Sequence, residues 1–232
     1  MKALVVFSGG QDSTTCLAYA LANYDEVETV GFYYGQRHSV ELICRQNVLK
    51  KIREEFPELA SKLGKDTVID VSSFGRIADS ALTRPEEKIE DGDNGLPTSF
   101  VPGRNILFLT YAGSMAYCRK ADTIITGVCE TDYSGYPDCR GATIYAIQMA
   151  LSLGMDREIF IDTPLMHLTK AQTWELAEKC GGKKMVDLIV RETHTCYEGD
   201  HEHFHDWGYG CGECPACKLR EKGYREYAEG KK

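Results

Sequence analysis

The chain has 232 residues, 27% of them charged, and a formal net charge of −8. That length suits one large domain, or a domain with a small appendage, around a full apolar core. The acidic balance argues against a broad nucleic-acid or anionic-membrane surface, which needs clustered Lys and Arg, and no apolar run reaches the roughly 18 residues of a membrane span.

The first residues enter a strand pattern with no signal-peptide pattern ahead of it, so the chain reads as cytoplasmic and its ten cysteines as reduced thiols or metal ligands. The apolar run Ala3–Phe7 predicts a buried parallel strand, and Thr14–Leu21 has helical spacing. Between them lies Ser8-Gly9-Gly10-Gln11-Asp12-Ser13. A strand-to-helix turn aims unpaired backbone N–H groups and the positive end of a helix dipole outward, which suits a phosphate. The loop is neither G-x-x-x-x-G-K-[ST] nor G-x-G-x-x-G. It carries Asp12, a carboxylate that repels phosphate unless Mg²⁺ lies between them, held by Asp12 and by phosphate oxygens. An ordinary glycine turn has no need of Ser8, Asp12, Ser13 and Thr14.

Four more strands are expected, at Val27–Tyr33, Thr67–Val71, Thr123–Gly127 and Glu158–Asp162, with helices at Ser39–Phe56, Asn105–Arg119 and Ala142–Leu153. The alternation predicts an α/β fold, a Rossmann-like five-stranded parallel sheet with right-handed crossovers, and ligands at the C-terminal strand ends. Tyr33–His38, Gly127–Arg140 and Thr163–Gln172 emerge on that edge. Arg84–Pro102, rich in Glu, Asp, Gly and Pro, is expected to be a long mobile loop that closes over a ligand, or a plain solvated connection.

Glu130 and Asp132, beside Tyr133 and Tyr136, suit a guanine-like base, since a carboxylate accepts two adjacent N–H donors and a tyrosine stacks on the ring. Capping of the following turn is the plainer alternative. Thr169 and Gln172 form a capping-box pattern, and Lys170 then sits in a first turn, where a cation opposes the dipole unless it faces a ligand anion.

Near the C-terminus, Cys211-Gly-Glu-Cys214-Pro-Ala-Cys217 and the upstream Cys196 have the spacing of a closed structural Zn²⁺ site, with an iron–sulfur cluster as the rival. His201, His203 and His205 read as an exposed polar loop, because four cysteines already saturate zinc. Residues 1–190 are expected to form the nucleotide-binding domain and 191–232 a C-terminal region that binds zinc through the four cysteines.

The S-G-G-x-D-S pattern at Ser8–Ser13 resembles the signature of the PP-loop ATP pyrophosphatases. FSGGQDSTTC, YGQRH, FVPGRN, ITGVCETDYSGYPDCR, TPLM and the cysteine set resemble more closely the 7-cyano-7-deazaguanine synthases of queuosine biosynthesis, over nearly the whole chain. The His-rich insertion before Cys211 and His167 depart from that pattern. The resemblance implies an adenine nucleotide alpha-hydrolase-like fold and a ligase that joins 7-carboxy-7-deazaguanine and ammonia at the expense of ATP, through adenylated intermediates, releasing an AMP- or ADP-type product with pyrophosphate or phosphate. It implies ATP contacts from Ser8, Gly9, Gly10, Gln11, Asp12, Ser13, Thr14, Thr15, Cys16, Leu17 and Ala18, and catalytic roles for Asp12, Lys170 and Arg104. Base contacts would come from Glu130, Asp132, Tyr133 and Arg140, with structural zinc on Cys196, Cys211, Cys214 and Cys217, and Mg²⁺ with ATP. No nucleic-acid or membrane partner is expected, and a homodimer is compatible. A tRNA thiolation enzyme of the same superfamily is the alternative, but it needs an RNA surface and a sulfur-carrying cysteine near the nucleotide.

Overall fold

A computed structural model describes residues 1–230 apart from 79, 85, 91, 93, 94 and 131–135. In chain order it contains β1 (Lys2–Val6), α1 (Gln11–Asn23), β2 (Glu26–Tyr33), α2 (Val40–Glu55), α3 (Pro57–Ala60), β3 (Leu63–Asp70), α4 (Ser72–Gly75) and α5 (Arg104–Arg119). Then follow β4 (Thr123–Ile125), a 3-10 turn (Pro137–Cys139), α6 (Gly141–Met155), β5 (Phe160–Asp162), α7 (Lys170–Glu192), the hairpin β6 (Phe204–His205) and β7 (Gly208–Tyr209), and α8 (Pro215–Glu229).

The expected five strands form one parallel sheet in the order β3-β2-β1-β4-β5. The chain steps from β1 toward one edge and then returns to build the other, so the strand order reverses at the C-terminal end of β1, where such sheets bind ligands. Leu4 and Val5 are buried by elements on opposite faces. One face packs α1, α2 and α7 in a core that includes Leu17, Leu49, Trp174 and Ile189; the other packs α5 and α6 through Leu109, Ile124, Ile144 and Leu151. No helix of the described residues is long and apolar enough to cross a membrane.

Local departures from the sequence reading have physical causes. Helix α1 starts at Gln11, three residues before Thr14, because Gly10 takes an extended N-cap conformation (φ −84°, ψ 173°). Strand β4 stops at Ile125, short of Gly127, whose backbone lies against Asp12: a Cβ there would stand 3.3 Å from the Asp12 Cβ. Strand β3 begins at Leu63, four residues early, and its half-exposed edge position hides it from an apolar count. Helix α7 is longer than any predicted helix, but Gly182 (φ 70°) breaks its helical geometry.

Buried Arg45 fixes α2 to the sheet. Its guanidinium donates to the Phe7 carbonyl and pairs with Asp66, passing so close to β2 that a Cβ on Gly31 would fall 2.5 Å from Nη1. The first turn of α2 is thereby held against the loop after β1.

Candidate active site

The loop Ser8–Ser13 is closed by its own hydroxyls. Ser13 Oγ accepts from the Gly9 N–H at 3.2 Å, lies 3.1 Å from Ser8 Oγ and donates to the Gly10 carbonyl at 3.2 Å. Thr14 donates to the same carbonyl at 2.8 Å. Gly9 has φ +100°, and a Cβ there would meet the Glu41 carbonyl oxygen at 2.5 Å and the Arg45 nitrogen at 2.7 Å, so the turn tolerates only glycine. No side chain caps α1, which leaves its N-terminal donors for an anion. Gln11 also faces the cavity, and its buried Nε2 has no hydrogen-bond partner among the described residues.

The rest of the predicted nucleotide contacts diverge from the cavity. Thr15 returns its hydroxyl to the Gln11 carbonyl at 3.1 Å, while Cys16, Leu17 and Ala18 are fully buried core residues. Burial raises the Cys16 thiol well above its ordinary range, a setting for packing rather than chemistry.

Asp12 meets Lys170 across the site, with Lys170 Nζ 3.1 and 2.9 Å from the two carboxylate oxygens. Two features aim the lysine. The predicted capping box is formed, with Gln172 N–H on Thr169 Oγ1 at 3.3 Å and Thr169 N–H on Gln172 Oε1 at 2.8 Å. Helix α8 crosses so closely that a Cβ on Gly223 would lie 2.6 Å from the Lys170 Cβ.

Two cavities meet at this loop. The outer one, of about 860 Å³, runs from Gly10 and Lys170 to the 84–102 segment (Ile89, Pro97, Ser99) and the start of α8 (Pro215, Arg220). The inner one, of about 280 Å³, lies over the sheet edge between Phe7, Phe32, Tyr34, Arg104 and Gly127. Ser8, Asp12, Ser13, Glu41, Tyr136 and Tyr197 line both. The described part of the 84–102 segment is seated on this site: Ser99 Oγ and Tyr136 Oη are 2.7 Å apart, and Arg37 donates to the Glu87 carbonyl at 3.3 Å. Just ahead of the segment, the Arg37 N–H donates to the Leu82 carbonyl at 2.7 Å.

The electrostatics of the shared wall are uneven. Burial pushes Arg104 down, but Tyr34, Tyr136 and Asp138 outweigh it and hold the guanidinium above its usual value. Burial pushes the Glu41 carboxyl up to about 7, opposed only by the charge of Arg104. Arg220 is fully buried and is pushed down to about 10 by burial, its N–H groups spent on the Trp207 and Ile189 carbonyls and Thr195 Oγ1.

The predicted base-reading residues are placed differently. Exposed Glu130 accepts from the Gly141 N–H at the start of α6, and exposed Arg140 is the N-cap of that helix. Neither lines the two cavities. Asp132 and Tyr133 lie outside the described residues. Glu41, Tyr197 and Arg220 line the site although no sequence pattern marks them. For Glu41 the one signal is its place at the head of an amphipathic helix just after the Tyr33–His38 loop.

The four cysteines do converge. The Sγ atoms of Cys196, Cys211, Cys214 and Cys217 all lie within 4.8 Å of one another, with Cys211–Cys217 at 3.9 Å and Cys196–Cys214 at 4.0 Å. Four thiolates at about 2.3 Å from one tetrahedral ion stand about 3.8 Å apart, so the set fits a single zinc ion and is too tight for a four-iron cluster. The backbone N–H groups of Glu213 and Cys214 approach Cys211 Sγ at 3.4 and 3.3 Å, as knuckle turns do. The histidines stay apart from it: His203 pairs with Asp200 at 2.6 Å, His205 reaches the Gly210 carbonyl at 2.8 Å, and His201 lies tilted against Tyr209, ring centroids 4.1 Å apart.

A doubly wound sheet with an S-G-G-x-D-S loop at its switch point, over a cavity lined by a lysine and a carboxylate, has the architecture of the PP-loop fold. A 4-thiouridine synthetase in complex with RNA and ATP shares the fold at a TM-score of 0.54 and 16% identity, covering 98% of this chain and 50% of the other, so the chain spans about half of that protein's length. The family model for queuosine biosynthesis protein QueC matches residues 2–228. The 7-cyano-7-deazaguanine synthases of Parvibaculum lavamentivorans (60% identical; 99% of this chain, 97% of that one) and Polaromonas naphthalenivorans (58%; 98% and 95%) align over nearly their full lengths. The chain belongs to this family.

Proposed function

We propose that the chain is a carbon–nitrogen ligase that converts 7-carboxy-7-deazaguanine and ammonia into 7-cyano-7-deazaguanine with two ATP. The observation that carries the reading is the meeting of two cavities at one phosphate loop, with Asp12 and Lys170 beside it. The free N–H groups at Gln11–Ser13 and Lys170 bind the terminal phosphates of ATP and make pyrophosphate the leaving group, which leaves the α-phosphorus open to the substrate carboxylate. Asp12 would hold the Mg²⁺ that accompanies the nucleotide, an ion that would neutralise phosphate charge. Ammonia displaces AMP from the acyl adenylate to give the amide. The amide oxygen then takes a second adenylyl group, and loss of AMP leaves the nitrile. Each AMP thus departs with one oxygen of the original carboxylate. The 84–102 segment and Tyr136 keep water from both activated species. Zinc on Cys196, Cys211, Cys214 and Cys217 is structural, because four protein ligands leave no open position.

The test is to incubate the protein with ATP, Mg²⁺, ammonium and the ¹⁸O-labelled carboxylic acid and to weigh the products. The expected result is the nitrile, two AMP per turnover and one ¹⁸O in each AMP. Absence of the nitrile, or label retained in phosphate or water alone, overturns the reading.

A further inference from the structure

Turning ammonia into a nitrile nitrogen removes three protons from one atom. One leaves as ammonia displaces AMP, one as the amide oxygen is adenylated, and one as the second AMP departs; carbon and oxygen supply none of them. Resting on the function proposed above, the reaction therefore needs a carboxylate or imidazole that reaches the adenylated carbon and is not already held by a cation.

Among the described residues, three acids line the cavities. Asp12 is paired with Lys170 through both oxygens, and Glu90 lines only the outer cavity. Glu41 lines both, in the first turn of α2, with Oε1 at 3.2 Å from where a Cβ on Gly10 would stand, so its carboxyl hangs over the phosphate loop. No hydrogen bond reaches that carboxyl from the described residues, and burial is the largest influence on it. The cations around it are committed or more distant: Arg45 is paired with Asp66, Lys170 with Asp12, and Arg220 is spent on carbonyls, while Arg104 acts on it by charge alone. Tyr34, Tyr136 and Tyr197 line the cavities beside it, Cys44 follows it on α2, and His194 faces the outer cavity.

We propose that Glu41 is the general base that accepts protons from the substrate nitrogen during amination and during dehydration of the amide, passing each to solvent. A base poised near working pH suits this task. Formation of the first acyl adenylate releases no proton from nitrogen and does not need it, so the three steps separate the proposal from a binding or folding role.

Glu41→Gln and Glu41→Asp are compared with wild type in three assays: acid-dependent ATP–pyrophosphate exchange without ammonium, nitrile formation from the acid, and nitrile formation from the corresponding amide with ATP. For Glu41→Gln, both nitrile assays are expected to fall about 100-fold or more and the exchange by far less. Glu41→Asp is expected to recover part of the nitrile rate with a displaced acidic limb in its pH profile. Nitrile formation by Glu41→Gln near the wild-type rate, or an exchange that falls as far as nitrile formation, overturns the role. If Glu41→Gln does not fold, the same criteria apply to Glu41→Asp. Failure of the wild type itself to catalyse exchange or form nitrile overturns the function proposed above instead.

Discussion

Asp12 and Lys170 are 158 positions apart in the chain and form a two-point contact at the phosphate loop. Through that contact the lysine neutralises the carboxylate proposed to hold Mg²⁺ beside the phosphates. Asp12→Ala is expected to abolish pyrophosphate release, by about 100-fold or more, while the protein still melts cooperatively, because Asp12 contributes nothing to either apolar core. Glu41 makes a prediction that needs no substrate. Its folded value of about 7 lies above the ordinary 4.5, so the fold prefers the neutral acid, and stability present below about pH 4.5 is lost as pH rises toward 7. The loss amounts to up to about 3 kcal/mol. Glu41→Gln, which cannot ionise, is expected to melt higher than wild type at pH 8 and close to it at pH 4, as measured by thermal denaturation at both values.

At the scale of elements, α7 and α8 place the lysine. The capping box at Thr169 and Gln172 starts α7 at Lys170, and Gly223 lets α8 lie against that residue. Thr169→Ala is expected to cost about 1 kcal/mol of stability and to raise the KM for ATP. Gly223→Val, which forces a branched side chain into the Lys170 stem, is expected to cost about 1–3 kcal/mol and to lower kcat as well; melts and steady-state kinetics check both. The loop, the capping box and the cysteine knuckle were legible in the sequence because each is a local pattern with one physical meaning. Helix α8 was not, since PACKLREKGYREYAE carries few apolar residues and buries them only against α7 and the knuckle. Glu41 was not, because an acid in a first turn is ordinary and its meaning comes from what Arg45 draws α2 against. Glu130 shows the reverse: the sequence offered base reading and capping, and its carboxylate is found on the Gly141 N–H.

For the whole molecule, the cysteine set joins the chain's last helix to the segment that follows α7. Cys214 and Cys217 bracket Pro215 and Ala216, and the same turn carries the wall of the outer cavity on to Arg220. Tyr227, further along α8, stacks near Trp174 of α7 and donates its hydroxyl to Glu178 at 2.9 Å. Replacement of Cys214 by Ser is expected to abolish stoichiometric zinc, lower the melting temperature and widen the cavity enough to cost activity, whereas His203→Ala, at an exposed side chain, keeps the metal; elemental analysis and melting curves decide it.

Because the cysteine set and the outer cavity share one short turn, a metal in the first and a nucleotide in the second would be thermodynamically linked. Whatever the metal contributes to ordering the wall against ATP, ATP must return to the metal as tighter binding. At equilibrium a chelator should therefore remove less zinc from protein saturated with ATP and the deazaguanine acid than from protein alone. In a cell short of zinc, the copies at work would then be the last to lose it.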